Sequence, residues 1–324
     1  MSRFTEEVTA TGFAAGWKML RGLPEWAVRR QFDTAADLVW LRAGKGVRRL
    51  ESNLRRVVGP GMSARELRLL TRAGVRSYLR YWREVFQLPG IPLDDLIARM
   101  FVVDEARLRD AVAAGAGVIL ALPHMGNWDH AGAWLAGTGV PFTTVAERLE
   151  PEEVFDRFVA FRESIGMEVI PLTGGERPPY QILADRLRSG GVLCLLADRD
   201  LTATGIDVDF FGEPARMPAG PAALALDTGA ALLPVTLSYP SRTRWQGWIH
   251  PQVRPPAAGT REEKIQAMTQ QVAQAFETAI ARDPQDWHML QRVWVADLDV
   301  GRLLGAGSSD PMAAAGHPLD AGRP

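Results

Sequence analysis

The sequence lacks the features that mark disulfide-bonded, secreted and membrane-spanning proteins. Cys194 is the only cysteine among 324 residues, so no disulfide can form within the chain, and a reducing compartment is expected. The first residues contain no uninterrupted apolar core of a secretory signal. No apolar run approaches the roughly 18 residues that a membrane-spanning helix needs. We therefore expect a cytoplasmic protein that is either free or lies on a membrane surface.

Motifs of two large hydrolase classes are also missing. There is no Gly-x-Ser-x-Gly elbow, and neither His-x-His nor His-Glu-x-x-His occurs among the five histidines. Cys194 lies within the apolar run Leu193–Leu196, which predicts a buried, inert thiol rather than a nucleophile.

The net charge of −1 hides an uneven distribution along the chain. Residues 1–90 carry 17 Lys and Arg against 8 Asp and Glu, a balance of +9 that leaves −10 for the remainder. A basic first quarter indicates an anionic partner, either phospholipid headgroups or nucleic acid.

Residues 1–90 are predicted to be helical. Phe13–Leu41 combines apolar residues at steps of three and four with arginines and three tryptophans, and Pro24 predicts a break within it. Further basic helices are predicted at Val47–Val58 and Ala64–Phe86. Such helices suit a membrane interface, but an amphipathic helix that packs on its own core would show the same pattern.

From about residue 100 short apolar strands alternate with helices, which predicts βαβ units and an α/β fold with a mostly parallel central sheet flanked by helices. Predicted strands are Gly117–Leu122, Pro141–Ala146, Val169–Leu172, Gly191–Ala197 and Ala231–Tyr239, and predicted helices are Trp128–Ala136, Pro151–Ile165, Tyr180–Ser189, Pro218–Thr228 and Thr260–Ala281. We divide the chain into a membrane-contacting helical portion (1–90), an α/β core (91–300) and a disordered tail (301–324) that is rich in Gly, Ala, Ser and Pro.

The chemistry is predicted to centre on His124 and Asp129. His124 follows an apolar strand and precedes a helix, where open α/β sheets bind ligands. A neutral imidazole can take a hydroxyl proton, and a carboxylate on its other nitrogen fixes the tautomer and stabilises the imidazolium. The two side chains can meet only if Gly126 lies in a turn, because five residues within one helix point apart. The alternative is a helix cap at Asn127 or Asp129, with His124 as a polar turn residue.

The segment His124–Asp129 resembles the His-x4-Asp motif of the lipid A lauroyl/myristoyl acyltransferase superfamily. Over roughly residues 10–298 the chain is similar to the actinobacterial phosphatidylinositol mannoside acyltransferases. Other segments that carry the resemblance are Arg49–Val57, Tyr81–Phe86, Glu147–Glu152, Phe161–Val169, Phe210–Gly212, Pro218–Ala222 and Asp286–Gln291.

The resemblance implies an acyl-CoA donor, usually palmitoyl-CoA, and an acceptor that is the 6-hydroxyl of a mannose on phosphatidylinositol mannoside. It also implies a peripheral location at the cytoplasmic face of the plasma membrane, on an anionic membrane surface. No cofactor beyond the acyl-CoA co-substrate and no metal is expected. His124 would be the general base, and no covalent acyl-enzyme would be needed.

A second acidic group of such enzymes falls at Asp198. The family is expected to have glutamate there, so the aspartate carboxylate reaches less far. Asp198 could meet His124, because both follow sheet strands, or it could be a loop carboxylate paired with Arg199. We include Arg199 among the candidate substrate-binding residues. Backbone N–H groups between Phe211 and Gly220 could serve an oxyanion, or they could belong to ordinary loop residues.

Two further candidates for substrate binding lie in the middle of the chain. Arg162 could bind a coenzyme A phosphate, or it could pair with Glu163 or Glu168. Glu147 could accept hydrogen bonds from sugar hydroxyls, or it could be a solvated carboxylate. Trp287, with His288 beside it, repeats with Leu290 and Trp294 at helical spacing, which favours a role in the core.

Competing functions stay open on the sequence. The acceptor could be another glycolipid or a lysophospholipid. A metal-dependent hydrolase could use a ligand set of His124, Asp129, Asp198 and Asp200, although the scarcity of histidines argues against it. A non-enzymatic lipid-binding scaffold would explain residues 1–90 but not the polar residues at the strand ends. Nucleic-acid binding is disfavoured because no recognised module is present.

Overall fold

A computed structural model describes residues 24–146, 159–160, 162–172, 177–200 and 205–298. The helices are α1 (Glu25–Arg42), α2 (Lys45–Val58), α3 (Ala64–Gln87), α4 (Leu93–Arg99), α5 (Glu105–Ala113), α6 (Trp128–Gly137), α7 (Pro179–Arg188), α8 (Gly220–Thr228) and α9 (Arg261–Arg282). The strands are β1 (Met100–Val103), β2 (Val118–Leu122), β3 (Phe142–Ala146), β4 (Met167–Pro171), β5 (Val192–Leu196), β6 (Ile206–Phe210), β7 (Glu213–Met217), β8 (Ala231–Ser241) and β9 (Arg244–Ile249).

Seven strands form one twisted sheet in the order β1-β9-β8-β2-β5-β3-β4. Every pairing in it is parallel except that of β8 with β9. All five residues of β2 are buried, as a strand covered on both faces requires. The α/β class and the mostly parallel sheet flanked by helices are therefore confirmed.

The predicted strands are present within two or three residues of their expected ends, and most of the predicted helices are as well. The middle helix, predicted at Pro151–Ile165, lies largely outside the described residues. In this stretch the described residues 159–160 and 162–164 are helical. The sequence did not predict β1 and β9, or the hairpin of β6 and β7. In that hairpin Phe211 and Gly212 form a two-residue turn with φ of +54° and +76°, which matches the mirror-image turns that hairpins favour.

The N-terminal helices form a small core of their own against the sheet domain. Helix α1 begins directly after Pro24, in agreement with the predicted break, while residues 13–23 lie outside the described part of the chain. It buries Val28 and Ala36 but exposes Trp26, Leu38 and Leu41. One face of α1 thus packs on the core, as the second interpretation predicts, and the other face presents apolar side chains to solvent. Contact with a membrane stays a prediction. Of the described helices, none is both long and apolar enough to cross a membrane.

Helix α3 connects this helical portion to the sheet. A capping box of Ser63 and Glu66 fixes its start, and its C-terminal half joins the same apolar cluster as β2 and α6. Its buried Glu84 accepts hydrogen bonds from the Asn127 amide at 2.9 Å and the Trp245 indole at 2.7 Å. Asn127 in turn caps α6, since its side chain accepts a hydrogen bond from the backbone N–H of His130. Glu84 therefore ties α3 to the loop that follows β2.

Candidate active site

The site forms where the two central strands β2 and β5 end. They pair in parallel, with Leu122 opposite Leu196, so the residues two positions beyond each strand also meet. These residues are His124 and Asp198. The His124 imidazole Nδ1 lies 2.6 Å from Asp198 Oδ1, and the His124 backbone N–H donates to Oδ2 at 2.9 Å.

Asp198 is fully buried and is held by a third group, the Trp287 indole, which donates to Oδ2 at 2.9 Å. Burial alone would raise the pKa of Asp198, but the charge of His124 and the hydrogen bonds from His124 and Trp287 keep that pKa below its usual value. An ionised carboxylate only accepts hydrogen bonds, so Nδ1 of His124 donates to Asp198, and Nε2 is the ring nitrogen that Asp198 does not contact. With 27% of its side chain exposed, His124 is accessible as a general base.

Asp129 does not make the contact with His124 that the sequence predicted. Its Oδ1 accepts from Arg162 Nε at 2.8 Å, and its Oδ2 accepts from the Tyr81 hydroxyl at 2.6 Å. Gly126 makes the required turn with a φ of +63°, but the turn sends Asp129 into the first turn of α6, beside α3. The carboxylate that orients His124 is Asp198, and the predicted partner is corrected accordingly.

Gly126 is restricted by space as well as by conformation. A Cβ atom there would lie 2.7 Å from Cβ of Leu237 and about as close to the Leu237 backbone. The loop after β2 thus approaches β8 more closely than any side chain would permit.

Arg162 pairs with neither glutamate that the sequence offered. Its guanidinium binds Asp129, while Glu168 pairs with Arg186 at 2.5 Å. Burial alone would lower the pKa of Arg162, but Asp129 raises it above its usual value, so the pair is ionised. Arg162 therefore holds Asp129 and Tyr81 together in one mostly buried cluster at the start of α6.

Other predicted site residues have varied outcomes. Glu147 lies outside the described residues. Arg199 and Asp200 follow Asp198 directly and are half-buried, and the Asp200 backbone N–H donates to the carbonyl of Arg216. The turn at Phe211 is not an oxyanion site, because the Phe211 N–H donates to Glu277 and the Gly212 N–H to Asp209.

The segment after α9 supplies contacts that the sequence did not predict. Trp287 and Trp294 are buried as expected, but Trp287 lies in extended backbone and forms an antiparallel bridge with Met125. The His288 N–H donates to the His124 carbonyl at 2.7 Å, and the Gly126 N–H donates to the Asp286 carbonyl at 2.9 Å. The one signal of this role was the resemblance that Asp286–Gln291 carries to the family.

A polar cluster lies behind His288. The His288 Nε2 is 2.9 Å from the Ser77 hydroxyl, and that hydroxyl donates to Asp286 Oδ1 at 2.8 Å. Burial, together with the charges of His124 and Arg80, lowers the pKa of His288 to about 3, so its imidazole is neutral.

Acid is expected to destabilise the protein through His130 as well as His288. Burial lowers the pKa of His130 to about 4, so the unfolded chain binds a proton first as the pH falls below about 6.5, and stability is lost in that direction. At pH 5 the cost is about 2 kcal/mol for His130. His130→Phe keeps an aromatic ring on Trp245, which stacks on His130 at 3.8 Å, and should flatten the stability profile by that amount between pH 7 and 5.

Urea unfolding at pH 5, 6 and 7 measures this difference. Burial raises the pKa of Asp286 to about 6, which favours the folded protein as the pH falls, but Asp286 is present in both proteins and cancels. Equal losses of stability in the wild type and His130→Phe would contradict the assignment.

An apolar cavity lies near His124, on the α6 side of the sheet. It encloses about 780 Å³ of empty space, part of which is open to solvent. Its walls are mainly aliphatic side chains of the central strands and α6, among them Leu120, Leu122, Leu196, Leu237, Ile249 and Leu135. Trp128 also lines it, with its ring centroid 5.7 Å from that of His124.

Cys194 lies in the wall of the same cavity. Burial raises the pKa of its thiol well above the usual value, in agreement with the predicted inert cysteine. Among the described residues, no three His, Cys, Asp or Glu side chains come together in a way that could hold a metal ion. The ligands expected of a metal-dependent hydrolase do not converge on one point, since Asp198 binds His124 while Asp129 binds Arg162.

Known proteins share this sequence over nearly its whole length. The chain is 49% identical over 308 residues to a phosphatidylinositol mannoside acyltransferase of Mycobacterium tuberculosis, covering 93% of both chains. It is 46% identical over 306 residues to the protein of the same name from Mycolicibacterium smegmatis, covering 93% of this chain and 96% of that one. The profile of the bacterial lipid A biosynthesis acyltransferases matches residues 2–296. The chain therefore belongs to the bacterial lipid A biosynthesis acyltransferase family.

Proposed function

We propose that the protein transfers a long acyl chain, palmitoyl in the first instance, from acyl-CoA to the 6-hydroxyl of a mannose on phosphatidylinositol mannoside. The observation that carries the proposal is the His124–Asp198 pair, with an apolar cavity on the far side of Trp128. The names of the two mycobacterial relatives supply the acceptor.

In this mechanism Nε2 of His124 removes the proton of the acceptor hydroxyl. The hydroxyl oxygen attacks the thioester carbonyl carbon, and the resulting tetrahedral intermediate collapses with cleavage of the C–S bond. Coenzyme A leaves as a thiolate and takes the proton from the His124 imidazolium, which regenerates the base. Asp198 stabilises the imidazolium while it exists, and Trp287 keeps Asp198 in place.

The cavity suits an acyl chain because its lining is mainly aliphatic and because Trp128, in its wall, lies beside the His124 ring. The exposed Trp26, Leu38 and Leu41 of α1 support peripheral contact with an anionic membrane surface, which we assign to the cytoplasmic face of the plasma membrane. Glu147 and Arg199 remain proposed substrate contacts.

Arg162 remains a proposed substrate contact in a modified form. Its guanidinium lines the apolar cavity beside Asp129, so we assign it to the reacting end of the acyl donor rather than to a distant phosphate.

The test is an assay of the purified protein with palmitoyl-CoA and a panel of acceptors in the presence of EDTA. Transfer to the mannosylated lipid, and not to unmannosylated phosphatidylinositol, supports the proposal. Preference for another glycolipid or for a lysophospholipid would reassign the acceptor. Loss of activity in EDTA would favour the metal-dependent hydrolase.

Filling the cavity should change the preferred acyl length. Ala131 lies on α6 in the cavity wall, and Ala131→Phe would occupy the space of several methylene groups. We expect kcat/KM for palmitoyl-CoA to fall by about tenfold or more, because lost burial costs about 0.8 kcal/mol for each methylene group. Butyryl-CoA is the internal control, since a short chain does not reach the blocked part. A parallel loss with both donors would show that the variant is damaged in general.

A further inference from the structure

A second cavity lies on the other side of the His288 cluster, between α1, α3 and the turn that joins β8 to β9. It encloses about 890 Å³ of empty space, part of it open to solvent. Five arginines line it: Arg29, Arg76, Arg80, Arg83 and Arg242. The carboxylates in its lining are those of Asp33 and Asp286. Four of these arginines pair with carboxylates outside the lining: Arg29 with Glu25, Arg76 with Asp37, and both Arg80 and Arg83 with Glu84. The lining therefore offers an anion guanidinium N–H donors rather than a large excess of charge.

Several donors in this cavity are unsatisfied. Arg83 is buried to 95% of its side chain, and its Nε has no hydrogen-bond partner among the described residues. Within the same described part of the chain, Nε of Arg29 and the hydroxyl of Tyr239 are also buried without a partner. A buried donor without an acceptor is costly, so this arrangement indicates an acceptor group that the described residues do not supply.

The remaining contacts hold the arginines in fixed positions. Arg80 lies 3.8 Å from the centre of the Tyr239 ring and donates to Glu84 and to the Ser241 carbonyl. Arg76 donates to both carboxylate oxygens of Asp37. An arginine that is oriented in advance loses less side-chain entropy when it binds an anion.

The cavity is close to the reacting groups. Ser77 lies in its wall, and the Ser77 hydroxyl contacts His288, whose backbone N–H binds the carbonyl of His124. One layer of side chains therefore separates the cavity from the proposed active site.

We propose that this arginine-lined cavity binds a phosphate group of a substrate. The inference rests on the proposed function for the identity of the ligand but not for the chemistry of the site. The phosphate could belong to the phosphodiester of the lipid acceptor or to coenzyme A in the acyl donor. Arginine suits either, since its planar fork binds phosphate oxygens in pairs.

The test measures binding rather than turnover, with two probes. Coenzyme A is titrated by calorimetry, and vesicles of phosphatidylinositol with phosphatidylcholine are compared with vesicles of phosphatidylcholine alone. The variants are Arg242→Glu, on an exposed turn, and Arg29→Gln. Arg254→Glu is the matched control, because Arg254 is an exposed arginine outside the cavity lining that contacts Gln252.

We expect both cavity variants to weaken one probe by about tenfold relative to the Arg254→Glu control, since a hydrogen bond to a charged group contributes about that factor. Weaker binding of phosphatidylinositol vesicles alone assigns the cavity to the lipid headgroup, and weaker binding of coenzyme A alone assigns it to the donor. Unchanged binding of both probes overturns the proposal. His124→Ala separates the two proposals, because it should abolish transfer and leave both probes bound.

Discussion

His124→Ala is expected to lower kcat for acyl transfer by about three orders of magnitude, because general base catalysis typically contributes a factor of 10² to 10⁴. The side chain is partly exposed and does not support the core, so the variant should fold normally. A radiolabelled palmitoyl-transfer assay measures the loss, and thermal unfolding of the same samples checks the fold. If His124→Ala retains more than a tenth of the activity, the proposed base is wrong.

The two carboxylates provide the sharper comparison. Asp198→Asn keeps the shape of the group that contacts Nδ1 but removes its charge, so the imidazolium loses its stabilisation and the wrong tautomer is favoured. We expect a loss in kcat comparable to that of His124→Ala. Trp287→Phe removes one donor to Asp198 and should cause a smaller loss, of about tenfold. Asp129→Asn serves as the contrast, and a larger effect at Asp129 than at Asp198 would restore Asp129 as the partner of His124.

Arg162→Met is expected to lower the free energy of unfolding by about 3 kcal/mol, because it leaves the buried Asp129 carboxylate without its cationic partner. Asp129 is almost fully buried, so water cannot replace the guanidinium. The double variant Arg162→Met/Asp129→Leu removes the charge as well as its partner and should recover most of the loss. Urea unfolding of the wild type, both single variants and the double variant completes the cycle.

A surface pair of the same chemistry is the control. Arg186→Met removes the partner of Glu168, where both side chains are more than two-fifths exposed, and should cost less than about 1 kcal/mol. If Arg162→Met costs no more than Arg186→Met, the buried pair does not organise the start of α6.

The sequence predicted those parts of the molecule that depend on local pattern. The apolar run Val118–Leu122 is short and is followed by a proline, which favours a strand that is buried on both faces. The positions of His124 and Asp198 after their strands followed from the same pattern. Strand β9 was missed because its polar and apolar residues alternate over only six positions, next to a turn that contains Arg242 and Thr243.

The errors concern contacts between distant segments. Sequence spacing favoured Asp129 as the partner of His124, but the in-register pairing of β2 with β5 decides which carboxylate reaches the imidazole, and a single sequence does not report register. Trp287 and Trp294 repeat at a spacing that resembles a helix, yet they lie in extended and irregular backbone where tertiary contacts determine the conformation. The sequence predicted that Arg162 could pair with Glu163 or Glu168, but its guanidinium binds Asp129 on α6.

The bridge between Met125 and Trp287 joins segments that lie far apart in the chain, so it can form only after the segment that follows α9 has been synthesised. The chain is synthesised from its N-terminus, so β2 and β5 have left the ribosome long before the segment that carries Trp287 and His288. Until then Asp198 lacks its indole donor, and the His124 carbonyl lacks the N–H of His288. The segment after α9 therefore completes the site through contacts between distant parts of the chain, which are the slowest class of contacts to form.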